Sequence, residues 1–233
     1  MITLPKVLAT YVAPSISLPT TLYTVGSCIG TEWSTWKPMA GVYGLEGKFF
    51  SVITVPDGGA TFKWGTREND WKGYDDVKTF DDQAGAGLSN ADGNIKIDKA
   101  GVYTLLYECK IAGGKIVYTV HVYPTAVYLI GAAAGGAWTD ADPNWAMTQQ
   151  DGLWVTPAFT GGGEMRAYVK ITGFDWWRTE FTLLNGNLYW RNANIPNNWA
   201  SDIGADYSVT CAVGQRLYVN FNTANGIDTG EVK

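Results

Sequence analysis

The chain has one histidine and three cysteines in 233 residues. A Ser-His-Asp relay or a His-ligated metal would have to use His121, which sits in "VYTVHVY", an alternating pattern where an ordinary strand histidine is the simpler reading. Cys28, Cys109 and Cys211 cannot all pair within one chain, and none lies in a CxxC, so each reads as a small apolar packing residue. Neither a metal nor a cofactor is expected. Charge is sparse too: Asp, Glu, Lys and Arg make up 17% of residues, the net charge is -5, and the 17 basic side chains are scattered rather than clustered. A phosphate backbone would find little to neutralise, which argues against nucleic acid as a partner. No apolar run approaches the roughly 18 residues that span a bilayer. The first residues, "MITLPKVLATYVAPS", have neither a basic n-region nor a small-residue cleavage site, so if the native protein is exported its signal is expected to have been removed.

Aromatic side chains, by contrast, are abundant. They form 14% of the chain, with 11 Trp and 13 Tyr against 8 Phe, so the excess is in rings that carry a polar handle and suit half-wet surfaces. The chain also repeats itself. "LPTTLYTVGS" at 18 to 27 has a counterpart in "YPTAVYLIGA" at 123 to 132, an offset of 105 that also relates Trp33 to Trp138 and Asp70-Trp71 to Asp175-Trp176. The register slips later, because "GVYTLLY" at 101 to 107 matches "GQRLYVNF" at 214 to 221 only after about ten extra residues, placed within "NGNLYWRNANIPNNWASDI".

Each copy consists of short alternating or apolar runs, such as "KFFSVITV", "ATFKWG" and "KIVYTVHV", separated by Gly, Asn, Asp and Pro clusters. No 12-residue window shows a clean helical period with caps. The expected fold is therefore all-β, two tandem β-sandwich domains of the immunoglobulin-like, carbohydrate-binding-module-like kind. Residues 19–124 are expected to form the first sandwich and 125–233 the second. Residues 1–18, with prolines at 5 and 14 and no strand partner in view, read as a linker or the tail of an absent N-terminal domain.

Two loops stand out. "GTEWSTWKP" at 30 to 38 and "GGAWTDADPNWAM" at 135 to 147 hold tryptophans among Gly, Ser, Thr, Asp and Pro, the first with no apolar residue beside them to pack against. Trp33 and Trp138 are expected to be exposed, while Trp36 and Trp145 could equally plug the end of a core. In "TFKWGT" strand parity puts Thr61, Lys63 and Gly65 on one face and Phe62 and Trp64 on the other, so Lys63 points away from the core. Arg166, Tyr168 and Lys170 share the matching face in "MRAYVKIT". In each copy another indole follows, Trp71 or Trp176, the latter with Trp177 and Arg178. Aromatic platforms beside fixed donors suit a sugar chain. The C-H face of a pyranose buries apolar area on an indole, while Lys, Arg, Asn and Gln supply directional bonds to the hydroxyls.

This combination resembles the starch-binding modules of the SusE and SusF outer-membrane lipoproteins, surface glycan-binding partners in Gram-negative starch-utilisation systems. The residues that carry the likeness are "LYTVG" and "VYLIG", the loop tryptophans, "FKW", "GNI" at 93 to 95, "RAYVKITGFDWWRTEF" and "GQRLYVNF". The resemblance implies a non-catalytic oligo- or polysaccharide binder, α-glucan favoured. It also implies a lipid anchor at the cell surface and other outer-membrane glycan-uptake proteins as partners. By the same resemblance the first site is Trp33, Lys63, Trp71 and Asn94. The second is Trp138, Arg166, Trp176 and Arg191, with Lys170 and Trp177 beside it. Copy two departs from the family pattern in the long "LYWRNANIPNNW" stretch, where a compact Gly-Tyr turn is expected. Xylan or another glucan stays open as the ligand. So does a spacer or adhesion role in which the tryptophans serve domain packing. Hydrolysis would draw on Asp75, Asp76, Asp81 and Asp82, but these crowd into one loop without a repeated counterpart, which suits a solvated turn better than two carboxyls flanking a scissile bond.

Overall fold

The computed structural model describes residues 15–192 and 209–233. Most of the segment read as a linker and most of the copy-two stretch that departs from the family pattern lie outside the described residues. Within them the chain is all-β, with short 3-10 turns and no α-helix. The first half forms two five-stranded sheets. One is ordered Lys37–Pro38, Tyr23–Gly26, Ala60–Gly65, Asn94–Ile97, Leu88–Ala91, and the other Ala40–Gly41, Lys48–Val55, Gly101–Ala112, Lys115–Pro124, Thr79–Asp82. They face each other across a core of Phe62, Trp64, Ile95, Ile53, Leu105 and Val120, all fully buried. Leu18, from the segment read as a linker, packs against the edge of this core.

The second half has an eight-stranded sheet, in which two groups of four strands meet through a single residue pair, Asn187 with Thr229, and a separate two-stranded ribbon of Gly163–Glu164 and Thr210–Cys211. Leu129, Ala167 and Phe181 from one group and Trp154, Leu217 and Val219 from the other share one core, so the groups act as the two layers of a sandwich.

"KFFSVITV" explains how the halves join. A strand with one wet face would alternate, but here only Lys48 and Thr54 are half-buried and the other six residues are buried. Phe49, Ile53 and Val55 belong to the first core, whereas Phe50 and Val52 point the other way and join the second, along with Leu106 and Tyr123. Phe50 meets Trp190 edge-on at 4.9 Å, and Trp190 meets Phe181 at 5.0 Å. The outer face of a first-half sheet is thus roofed by the second half, and a strand covered on both faces reads as a continuous apolar run.

One charged residue is sealed into this junction. Lys37 is 2% exposed, and its ammonium donates to Val52 O at 2.9 Å, Phe221 O at 2.8 Å and Asp228 Oδ1 at 2.5 Å. An ammonium has three N–H donors, and all three are used.

The scarce residue types have plain places. Cys28, Cys109 and Cys211 are buried free thiols, and burial pushes those of Cys28 and Cys109 up to about 12, which leaves them protonated and inert. His121 lies in the strand Lys115–Pro124 with Nδ1 2.8 Å from Asp81. Asp76 accepts from Gly73 N, and Asp82 from Ala86 N and Gly87 N, so these carboxylates close turns.

Candidate functional site

Pairing register shows how the duplication lays out its sites. Lys63 stands opposite Val25 and Arg166 opposite Ile130, and Val25 and Ile130 correspond at the offset of 105. Arg166 is therefore the positional equivalent of Lys63, although the two are 103 apart in the chain. Each half also carries a pair of indoles in contact. Trp33 and Trp71 have centroids 6.5 Å apart and planes inclined by 34°, and Trp138 and Trp176 have 5.6 Å and 40°. Both members of one pair correspond to both members of the other at the offset of 105.

In the first half Trp33 sits on the 3-10 turn Glu32–Ser34, half-buried, and Trp71 is 47% exposed. Trp71 is placed by the segment after it. Lys72 forms a two-way backbone bridge with Trp64, taking the position beside that strand which the neighbouring Asn94–Ile97 strand gives up after the pair Phe62 and Ile95. One step further along that register, Asn94 comes beside Lys63. Lys63 itself is half-buried, close to Gly73, and in no ion pair or hydrogen bond among the described residues. The strand thus carries buried Phe62 and Trp64 on its core face and an uncommitted ammonium on the other. A third ring, Trp36, meets Trp71 edge-on at 4.8 Å, which puts it in the ring cluster rather than at the end of the core.

Asp70 closes the loop that carries Trp71, accepting from both the amide and the hydroxyl of Thr66 at 2.9 Å. Burial works to raise its carboxyl, but the two Thr66 bonds, with Lys72 and Arg67 nearby, hold it below the ordinary 3.8. A depressed carboxyl stabilises the loop above 3.8 and loses that effect as pH falls through its lower folded-state value. Ligand affinity at this site should accordingly hold above the ordinary carboxyl value of 3.8 and decline as the pH is taken well below it. Asp70→Asn should bind more weakly than wild type at the higher pH and converge with it at the lower. Titrations at the two pH values check this, and identical curves for the two proteins at the higher pH would refute it.

In the second half the cation is committed. Strand parity suggests a wet face for Arg166, but the residue is 4% exposed and ion-paired with Glu164 and Glu180, because the loop rings roof that face. Its guanidinium lies 5.9 Å from the Trp138 ring. Trp138 is 51% exposed and rests on Gly131, where a Cβ would come within 2.9 Å of the indole. Tyr168 stands 6.3 Å from Trp176 and donates to Asp140, which also holds Lys170 at 2.5 Å. Trp145 packs against the second core.

Trp177 and Arg191 are not gathered with Trp138 and Trp176. Trp177 turns to the junction and meets Tyr43 of the first half at 5.9 Å, with Arg178 4.2 Å over its ring. Arg191 pairs with Glu180 and lies 4.6 Å from the Tyr43 ring. A groove of about 580 Å³ between Tyr43–Phe49 and Trp190–Asn192 also follows the junction, and its lining includes none of the four paired indoles. In each pair one indole is exposed, Trp71 or Trp138, and its partner, Trp33 or Trp176, is half-buried. Among the described residues no cluster of His, Cys, Asp and Glu could hold a metal, and no helix is long and apolar enough to cross a membrane.

The family described as SusF/SusE starch-specific carbohydrate-binding modules matches the chain twice, over residues 21–118 and 126–227. The outer membrane protein SusF of Bacteroides thetaiotaomicron is 29% identical over 229 residues, covering 90% of this chain and 43% of that protein. The crystal structure of SusF from the same organism superposes with a TM-score of 0.72 at 26% identity, covering 93% of this chain and 48% of that one. The chain thus spans less than half the length of the relative it matches.

Proposed function

We propose, from the premise that this chain belongs to the SusF/SusE family of starch-specific carbohydrate-binding modules, that it holds α-glucan on its two ring pairs at the cell surface. Members of the family are non-catalytic. The observation that carries the reading is the tilted indole pair present in both halves at corresponding positions. An α-1,4-glucan curves, so successive glucose units present their faces at an angle, and two planes inclined by 34° or 40° follow such a chain. A flat, extended β-linked chain asks for more nearly coplanar rings. In this reading Trp33, Trp71, Trp138 and Trp176 stack on sugar, Lys63 and Asn94 bond hydroxyls in the first site, and Arg166 with Lys170 borders the second. Trp177 and Arg191 support Trp176 from behind. The module boundary falls at Pro124. The full-length protein is lipid-anchored in the outer membrane and works beside other glycan-uptake proteins.

Affinity electrophoresis in gels with amylopectin, xylan or no polymer tests this. Retardation in amylopectin alone is expected, and unretarded migration in every gel would overturn the reading. Each stacked ring contributes of the order of 1 to 3 kcal/mol. Trp71→Ala should thus weaken maltoheptaose binding at the first site by roughly 5- to 150-fold, with the fold intact by circular dichroism.

A further inference from the structure

The ring-bearing loop of each half is held in part by the other half. In the first, the loop from Gly30 to Lys37 leans on the hairpin turn from Phe221 to Asp228 of the second. Thr31 N donates to Ala224 O at 3.1 Å, and Thr35 Oγ1 reaches the same oxygen at 3.3 Å. Thr35 Oγ1 in turn fixes Thr31 through its amide at 3.1 Å and its hydroxyl at 2.6 Å, so Trp33 is bracketed by two residues tied to one carbonyl of the opposite half. The supporting turn is itself cross-linked: Asn225 Oδ1 accepts from Ile227 N at 3.0 Å, and the one hydroxyl proton of Thr223 is shared between Ile227 O at 2.6 Å and Asn225 Oδ1 at 2.9 Å. The fit is close enough that a Cβ on Gly226 would meet Thr35 Cγ2 at 2.9 Å.

The reverse contact supports the second site. Tyr43 N donates to Arg178 O and Arg178 Nη1 donates to Tyr43 O, both at 2.9 Å. The Tyr43 ring packs edge-on to Trp177, next in sequence to Trp176 on the 3-10 turn Trp176–Arg178.

We infer that the junction is a positioning element of both binding sites: the Phe221–Asp228 turn sets the Trp33 and Trp36 indoles, and Tyr43 sets Trp176. This rests on the reading of the ring pairs as sugar platforms. Gly226 and Tyr43 touch no proposed ligand and act through the loops they support. Each also lies in the half opposite the site it serves, which gives a signature that general destabilisation does not produce.

The test uses the full chain and maltoheptaose, with Trp138→Ala to leave the first site readable and Trp33→Ala to leave the second. Gly226→Ala should weaken the first site by roughly 2- to 30-fold, the range of coupling through a packed contact, and change the second by less than about twofold. Tyr43→Ala should do the opposite. Asn225→Ala, which loosens the turn from within and adds no bulk, should act in the same direction as Gly226→Ala and covers the case in which that variant folds poorly. A ligand-free readout separates this inference from the function it rests on. In NMR spectra the indole N–H signals of Trp33 and Trp36 should move in Gly226→Ala while those of Trp138 and Trp176 stay, and the reverse pattern should appear in Tyr43→Ala. Equal losses at both sites, or unmoved indole signals in the opposite half, would overturn the inference. A wild-type chain that binds no maltoheptaose but shows the crossed signal shifts would instead overturn the glucan reading and leave the positioning in place.

Discussion

A chain carrying both Trp33→Ala and Trp138→Ala should run through an amylopectin gel as though the polymer were absent, while each single variant is still retarded. Each truncation removes one platform of a pair, at about 1 to 3 kcal/mol, and sites in separate halves with no shared partner add. The summed loss of roughly 2 to 6 kcal/mol corresponds to about 30-fold to more than 10⁴-fold. A polymer that engages both sites also gains from the high local concentration of the second site once the first is filled, and the double variant forfeits that gain. Stability should hardly change, because Trp138 is 51% exposed and Trp33 is half-buried on a loop. Wild-type retardation of the double variant would remove these rings from the binding surface.

Lys37→Met should be the most damaging single change at the junction. It leaves Asp228 with its charge sealed in and unpartnered, a situation that costs about 3 to 5 kcal/mol. It also takes a charged donor from the carbonyls of Val52 and Phe221. For a chain of this size the melting temperature should fall by roughly 6 to 20 °C. Adding Asp228→Leu removes the stranded carboxylate, and a buried pair replaced by apolar groups is often neutral. Recovery should still be partial, since the two carbonyls remain without their donor. Thermal unfolding of the three proteins decides the matter. A Lys37→Met chain as stable as wild type would mean that the ion pair contributes nothing net.

The all-β fold is legible in the sequence because its signals are local. Strand parity in "TFKWGT" alone separates buried Phe62 and Trp64 from Lys63, and the repeat at offset 105 announces two copies of one unit. Other features depend on partners distant in the chain. Lys37, within "STWKP", looks like a solvated cation, yet its acceptors lie 15, 184 and 191 residues away. Arg166 follows the same parity as Lys63, but Glu180 and the Trp138 loop bury it. Trp177 follows Trp176 directly and still turns toward Tyr43, because successive residues of a 3-10 turn face different directions. The unbroken apolar run in "KFFSVITV" does carry a trace of long-range packing, since it is the pattern of a strand covered on both faces. What supplies the second cover, the other half of the chain, is not written in that run.

That double cover bears on how the protein can be cut. Severing the chain at Pro124 would bare Phe50, Val52, Leu106 and Tyr123 to solvent as one contiguous oily surface. Either half expressed alone should therefore self-associate and come out of solution, and fragment-based work on this protein would need polar replacements at Phe50 and Val52 before it began.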